Sequence, residues 1–389
     1  MNILIHKLIN FVRHKKTLRL FFLRLKRFAS DFIQVYYKLL KMFLERIALS
    51  IAILNEPTRD TSIHERRGVL VIISKGKGKK SDWTNYDYFH FLGPFEEFMK
   101  KHKSPISVWL IDENPGFLGL IRFLRFLFQN SFRTVVLSSW NPNEFSVGSP
   151  SPFILKRARK RMSKSVRFVI LGWDTVTPKF WDRHLSLEFL DEIILLENPI
   201  SFGFMSAKNS NKLLITPNLP LPMNTMNLAE HNELSRSIDV TFFGQVNSYR
   251  DYRAPFLEVL EKYQNTSFIS ASKSGTSDYT YSEMFETMRK SKFGVNFSRS
   301  ANDREQLKGR VWEVLLSGAL LLEQKNSQIL QFFEPGKHFI FFESPSELEE
   351  HIDYFMHHEK ERREIAEEGM KRARYLQVQD LLFIHLLKN

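Results

Sequence analysis

Short apolar runs alternate with longer amphipathic stretches along most of the chain from residue 68 onward. Runs such as Val69–Ser74 and Ile106–Ile111 are rich in β-branched residues and predict buried β-strands. Stretches such as Tyr86–Lys101 and Phe117–Phe128 repeat apolar residues every three or four positions and predict helices. Buried strands that alternate with helices are typical of a mainly parallel sheet with helices on both faces.

The alternation stops at residues 216–236, which are rich in proline and asparagine, and then starts again. A chain of 389 residues is too long for one ordinary core, so the pattern predicts two tandem Rossmann-like, doubly wound α/β domains. We expect a basic amphipathic helical segment at 1–60, an N-terminal domain at 68–215, a linker at 216–236, a C-terminal domain at 237–375 and an apolar helix at 376–389. Ligands of such sheets bind beyond the carboxyl ends of the strands, so we expect the site in the cleft between the domains.

Most of the net charge belongs to the first 46 residues. They hold eleven of the 56 Lys and Arg residues and two of the 43 acidic residues, and so contribute +9 of the net +13. Apolar residues between Leu4 and Phe43 follow a helical period through this basic segment. A basic helix with an apolar face favours the surface of an anionic membrane, whereas the interrupting charges exclude a transmembrane span and a signal peptide. A helical hairpin packed on the body, or a coiled coil, is the alternative.

Four charged residues follow a predicted strand at Phe293–Phe297. Glu305 and Glu313 are eight positions apart, with Lys308 and Arg310 between them, and a predicted helix runs to Gly318. A carboxylate at a helix start beyond a strand can accept paired hydrogen bonds from a ribose diol, and the cations can neutralise phosphates. A solvated helix start is the alternative interpretation.

A second candidate site follows the predicted strand Asp239–Phe243. Gly244 comes directly after this strand, where a glycine lets a phosphate approach the backbone closely. Arg250 and Arg253 stand three positions apart as the next helix begins, so we expect them to share a face. A plain turn glycine with surface arginines is the alternative.

Three blocks of the C-terminal half together resemble a known family. They are DVTFFGQVNSYRDYR, KGRVWEVLLSGALLLE and FFEPGKHFIFFESPSELEEHIDYFMHHEKERREIAEEG. In order and spacing they are similar to the spore-maturation (CgeB-like) branch of the glycosyltransferases, which have the GT-B fold. The resemblance covers residues 237–375, and the N-terminal half resembles the family's acceptor domain only in its α/β alternation.

The resemblance implies transfer of a sugar from a nucleotide-sugar donor, with no cofactor beyond that co-substrate. It implies a C-terminal donor domain in which Glu313 holds the ribose and Glu305 is the first member of a Glu-x7-Glu pair. Arg310, and with it Lys308, Arg250 and Arg253, would stabilise the diphosphate leaving group. Gly244 would border the same donor site.

The catalytic base is not identifiable from the residues alone. Asp174 is expected to face the cleft and is the preferred candidate, Asp112 and His184 are the others, and each could instead be a turn or capping residue. A retaining enzyme would need no such base. The chain has no Asp-x-Asp sequence, which agrees with metal-independent GT-B chemistry, and we expect no bound metal. The absence of cysteine excludes disulfides, thiolate zinc sites and cysteine nucleophiles.

Residues and resemblance together predict a glycosyltransferase that builds a bacterial surface glycan such as lipopolysaccharide or capsule. We expect it in the cytoplasm, peripheral to the inner face of the cytoplasmic membrane, with residues 1–46 on anionic lipid and a glycan or lipid-linked acceptor. A basic nucleic-acid-binding protein is an alternative, although no nucleic-acid-binding motif appears. A non-catalytic GT-B scaffold at the membrane is another.

Overall fold

The computed structural model describes most of the chain from residue 40 onward. The described residues are 40–52, 68–73, 91–111, 113–114, 116–138, 150–162, 166–172, 184, 186–195, 212–215, 236–244, 251–263, 266–270, 281–298, 305, 307–376 and 379–387. Two compact units form. The first comprises Met1–Arg59, Asn114–Gln129 and Asn141–Arg161, and the second comprises Asp60–Glu113, Asn130–Trp140 and Met162–Asn389.

Helices and strands alternate through the described residues. The first part contains α1 (40–52), β1 (Gly68–Ile73), α2 (Gly93–Lys101), β2 (Ile106–Leu110), α3 (Gly116–Gln129), β3 (Phe132–Ser138), α4 (Pro152–Arg161), β4 (Arg167–Gly172), β5 (Glu192–Leu195) and β6 (Leu213–Ile215). The second part contains β7 (Ile238–Gly244), α5 (Ala254–Leu260), β8 (Thr266–Ser270), α6 (Tyr281–Arg289), β9 (Ser291–Asn296), α7 (Gly309–Ser317), β10 (Leu320–Gln324), β11 (Ile340–Phe342), α8 (Pro345–His357), α9 (Glu359–Tyr375) and α10 (Gln379–Leu387). Short 3-10 helices stand at Asp251–Arg253 and Ser327–Gln331.

The first unit is helical in its described part and contains α1, α3 and α4. Helix α4 begins where the Ser151 hydroxyl accepts a hydrogen bond from the Ile154 backbone N–H at 3.3 Å. The same hydroxyl donates to the Glu45 carboxylate on α1 at 2.7 Å. This bond joins α1 to the N-terminus of α4, and burial raises the pKa of the Glu45 carboxyl while the Ser151 hydrogen bond opposes that shift.

The second unit contains two parallel sheets. Six strands pair in the order β2-β1-β3-β4-β5-β6, and five pair in the order β11-β10-β9-β7-β8. Every residue of β1 is buried, as the near-continuous apolar sequence of a strand covered on both faces predicts.

The five-stranded sheet has an apolar core on each face. Val295 and Leu322 pack in one cluster with Ile352 of α8, and Leu321 packs in another with Val314 of α7. Alternate residues of β10 therefore point to opposite helical layers, because side chains alternate along a strand. This sheet confirms the predicted parallel α/β architecture.

Most predicted elements occur within a few residues of their expected bounds. The strand β6 at Leu213–Ile215 was not predicted, because it stands next to the proline- and asparagine-rich stretch. The helix expected to begin near Arg250 and Arg253 starts with a 3-10 turn at Asp251–Arg253 and is α-helical only over Ala254–Leu260. Residues 1–39 and 216–235 lie outside the described residues. The helical period of apolar residues near the N-terminus, the linker and the domain boundaries therefore stay predictions. Within the described ranges, no helix is both long and apolar enough to cross a membrane.

Candidate functional site

Three strands of the five-stranded sheet bring polar residues to one edge. Strands β7, β9 and β10 are parallel neighbours and end at Gly244, Asn296 and Gln324. Their carboxyl ends therefore meet at a single edge, which is where ligands of parallel α/β sheets bind. Helix α7 begins at Gly309, after the connection that follows β9.

Helix α7 carries the buried ion pair of the site. Arg310 and Glu313 stand three positions apart on one helix face, and Arg310 Nη1 lies 2.5 Å from Glu313 Oε2. The side chain of Glu313 is 2% exposed, whereas that of Arg310 is 14% exposed. The guanidinium carbon of Arg310 also lies 5.5 Å from the centre of the Phe243 ring, near the end of β7. Glu313, which is predicted to hold the ribose, and Arg310, which is predicted to stabilise the diphosphate, thus form one ion pair. This pair extends from α7 to the carboxyl end of β7.

Gly244 and Arg253 lie close together, but the space beside Gly244 is filled by side chains of the protein. A Cβ atom on Gly244 would stand 2.6 Å from the Phe242 ring and 3.2 Å from Arg253 Nη1. The Arg253 guanidinium is buried over the rings of Phe242, Tyr252 and Phe297, at 5.2 to 5.7 Å from their centres. Close packing of the Phe242 ring, with the Arg253 guanidinium behind it, therefore accounts for the glycine. The role predicted for both residues at the donor diphosphate stays a prediction, and Arg250 lies outside the described residues.

Glu305 and Glu313 have different partners. The Glu305 carboxylate accepts hydrogen bonds from the backbone N–H of Ser327, at 3.0 Å, and from the Ser327 hydroxyl. Ser327 begins the 3-10 helix after β10, so Glu305 holds the connection before α7 to the connection after β10. Lys308 is the residue before α7 and has extended backbone dihedral angles.

A buried carboxylate that the sequence did not single out lies at the same edge. Glu323 on β10 is in register with Asn296 on β9, and the Asn296 amide donates to Glu323 Oε2 at 2.8 Å and to the Ser298 hydroxyl at 3.0 Å. Glu323 is 0% exposed, and its Oε1 has no hydrogen-bond partner in the described part of the chain. Burial raises the pKa of Glu323 to about 8, while hydrogen bonds from Ser298 and Asn296 and the charge of Lys308 oppose this shift. The sequence did contain a signal for this residue, because Glu323 is a charged residue at the end of the apolar run ALLLE.

The described residues do not identify a catalytic base among the three predicted candidates. Asp112 and Asp174 lie outside them. His184 is 0% exposed, which does not favour proton abstraction from an incoming acceptor. Among the residues with described positions, no group of three or more His, Cys, Asp or Glu side chains could hold a metal ion.

Comparisons with known proteins concern the region of the chain that contains these residues. Residues 230–379 match the family described as glycosyl transferase-like. No curated protein matches the sequence.

Solved structures share the fold at low sequence identity. An α-glucosyltransferase in complex with UDP and a 13-mer DNA aligns with a TM-score of 0.54 and 11% identity, over 83% of this chain and 100% of that chain. Anabaena HepE in complex with UDP-glucose aligns with a TM-score of 0.51 and 11% identity, over 82% and 98%. A glycosyltransferase from Rickettsia africae aligns with a TM-score of 0.50 and 10% identity, over 84% and 100%. Residues 230–379 are therefore similar to the glycosyl transferase-like family, and the chain shares its fold with solved glycosyltransferases.

Proposed function

We propose that this protein is a GT-B glycosyltransferase of the CgeB-like branch that transfers a sugar from a nucleotide-sugar donor without a metal ion. The observation that carries the proposal is the pair of part-buried Arg310 and buried Glu313 at the carboxyl edge of the five-stranded sheet. The pair lies inside the region that matches the glycosyl transferase-like family. A buried carboxylate held by a fixed arginine is suited to accept hydrogen bonds from a ribose diol.

The leaving group explains why cations are needed next to this carboxylate. When the bond from the sugar to the diphosphate breaks, negative charge develops on the departing phosphate. Fixed positive groups stabilise that charge in the transition state without reorganising. Arg310 and Lys308 at the start of α7, with the partial positive charge of the helix N-terminus, supply such groups in this proposal.

The donor proposed first is a UDP-sugar, because UDP and UDP-glucose are the ligands named in two of the similar structures. The proposed acceptor is a cell-surface glycan or a lipid-linked sugar at the inner face of the cytoplasmic membrane. The basic residues 1–46 would hold the enzyme on anionic lipid. Asp174 is the proposed base of an inverting reaction.

A thermal-shift screen of UDP, GDP, ADP and TDP tests donor binding directly. We expect one of them to raise the midpoint of unfolding in a saturable way, since a ligand that binds only the folded state stabilises it. A chain that shows no shift with any of the four nucleotides would contradict the proposal. A protein that binds a nucleotide but releases none from any nucleotide sugar would favour the alternative of a non-catalytic GT-B scaffold.

A further inference from the structure

The described helices of the first unit carry many cations and one acidic residue. The nine cations on α1, α3 and α4 are Lys41, Arg46, Arg122, Arg125, Lys156, Arg157, Arg159, Lys160 and Arg161. The acidic residue is Glu45, which is 1% exposed and accepts the Ser151 hydrogen bond. The described side chains of these three helices therefore include nine positive groups and one acidic group.

The exposed faces of α1 and α4 adjoin at one aromatic ring. The guanidinium of Arg46 on α1 lies 5.7 Å from the centre of the Phe153 ring, and that of Arg157 on α4 lies 5.5 Å from it. Lys160 and Arg161 continue the exposed side of α4, whose buried side chains are apolar. Four cations from two helices, Arg46, Arg157, Lys160 and Arg161, thus form one basic surface.

Large apolar side chains are exposed beside these cations. Phe43 is 60% exposed and lies three positions before Arg46 on α1, so the two side chains share a face. On α3, apart from that surface, Leu118 is 69% exposed and lies four positions before the exposed Arg122. Apolar side chains among cations are suited to the headgroup–acyl boundary of a bilayer. There the apolar side chains are buried in the acyl region and the cations contact lipid phosphates. The phosphate backbone of a nucleic acid would use the cations but not the apolar side chains.

We propose that the basic surface of Arg46, Arg157, Lys160 and Arg161, together with Phe43, docks on an anionic lipid bilayer. The inference rests on the membrane association proposed above and extends it, because it assigns binding to α4, which lies far from the first 46 residues in sequence. The cations contact lipid phosphates, and Phe43 enters the acyl boundary. Docking would then depend on the folded first unit as well as on the N-terminal segment.

Co-sedimentation of the full chain with vesicles tests this surface. The vesicles are phosphatidylcholine alone or phosphatidylcholine mixed with phosphatidylglycerol. The triple variant Arg157→Gln, Lys160→Gln, Arg161→Gln is expected to partition onto the mixed vesicles about 100-fold more weakly than wild type, since each cation near the surface contributes. The control Lys360→Gln, Arg363→Gln, Lys371→Gln removes three exposed cations from α9 and is expected to change partitioning by roughly twofold at most.

The variant Phe43→Ser keeps every cation and separates a bilayer from a nucleic acid. It is expected to weaken vesicle binding about tenfold, because one phenyl ring is no longer buried. Circular dichroism melts confirm that each variant is folded.

The outcomes distinguish this proposal from those on which it rests. Wild-type protein that fails to sediment with mixed vesicles overturns both the membrane association and this surface. Equal losses in the two triple variants overturn this surface alone. A third outcome also overturns it and identifies a nucleic-acid surface. In that outcome the protein binds duplex DNA more tightly than vesicles, and this binding is lost in the α4 variant and kept in Phe43→Ser. Release of UDP from a UDP-sugar, measured without vesicles, tests the glycosyltransferase proposal separately.

Discussion

At the scale of single residues, the site depends on a carboxylate that has been removed from water. Glu313 is buried and its charge is balanced by Arg310, whose guanidinium lies 2.5 Å away. Breaking such a pair leaves a buried charge without a partner, which costs more than the pair contributes. Variants that keep the shape of the side chain are therefore the informative ones.

Glu313→Gln is expected to weaken nucleotide binding by about 1 to 3 kcal/mol, through loss of hydrogen bonds to a charged acceptor. Isothermal titration with the nucleotide that stabilises the wild type measures the effect. The matched control is Glu286→Gln, because Glu286 pairs with Arg289 in the same i,i+3 arrangement on α6 at 2.8 Å. Equal affinities in Glu313→Gln and wild type would remove Glu313 from the donor site.

Glu323 makes the stability of the protein depend on pH. Burial raises its pKa from 4.5 to about 8, so between these values the folded state keeps a proton that the unfolded chain has lost. Stability is therefore greatest below the lower value and falls as pH rises through this window, by at most about 1.4 kcal/mol per pH unit. In Glu323→Gln we expect this contribution to vanish, so the free energy of unfolding varies less with pH.

Urea denaturation at several pH values between about 5 and 9 measures this dependence. Glu334→Gln serves as the control, because the side chain of Glu334 is exposed. If the curves for Glu323→Gln and wild type run parallel across the window, Glu323 does not titrate as described.

At the scale of elements, helix α7 is fixed at its C-terminus by a single arginine. Gly318 ends the helix with φ 73°, and a Cβ there would stand 2.8 Å from Arg236 Nη2. Arg236 donates to the backbone carbonyls of Arg289, Ser291 and Ser317, at 3.0, 2.6 and 3.2 Å. Its guanidinium therefore joins the ends of α6 and α7 to the start of β9.

Arg236→Met is expected to destabilise the fold by about 2 to 3 kcal/mol, because three carbonyls lose a charged donor. Burial, together with the nearby charges of Arg362, Arg289 and Arg363, lowers the pKa of Arg236 to about 10, so part of this loss is offset by relief of repulsion. The free energy of unfolding in urea measures the change. Arg363→Met removes an exposed arginine and should change it by less than about 0.5 kcal/mol. Similar values for the two variants would contradict the role of Arg236.

The elements of the C-terminal half could be predicted because their signals are local. Apolar runs gave β7 and β9 to within two residues, and Gly318 ends α7 as predicted because a left-handed residue favours glycine. The surroundings of the site could not be predicted in the same way. Arg253 donates to the Phe297 carbonyl 44 positions away, and Glu323 accepts from Asn296 27 positions away. Such contacts come from strand order, which no local pattern in the sequence encodes.

At the scale of the whole molecule, the last helix, α10, packs against the six-stranded sheet and the helix α2 beside it. Phe383 of α10 packs against Phe91, Phe95 and Phe98 at ring distances of 5.1 to 6.4 Å. Thr134 and Arg133 on β3 donate to the carbonyls of Leu386 and Leu387, each at 2.8 Å. The His385 ring lies 2.8 Å from the Glu192 carboxylate at the start of β5. The apolar C-terminal sequence thus supplies core to the sheet that the first half of the chain builds.

Phe383→Ala is expected to destabilise the protein by about 3 to 5 kcal/mol, through loss of a buried aromatic ring and the cavity that it leaves. Ile384→Ala on the same helix removes a side chain that is 46% exposed and should cost less than about 1 kcal/mol. Urea denaturation compares the two variants. A loss in Phe383→Ala no larger than that in Ile384→Ala would mean that α10 does not contribute to the core.

Nucleotide release from a panel of nucleotide sugars tests the central claim most directly. Wild-type protein is expected to release UDP, or another nucleoside diphosphate, from at least one donor, with hydrolysis to water standing in for the acceptor. The variant Arg310→Gln should release the nucleotide about 100-fold more slowly, because a fixed positive charge no longer stabilises the departing phosphate. A wild-type chain that releases no nucleotide from any donor, or an Arg310→Gln variant as fast as wild type, would contradict the proposed donor site.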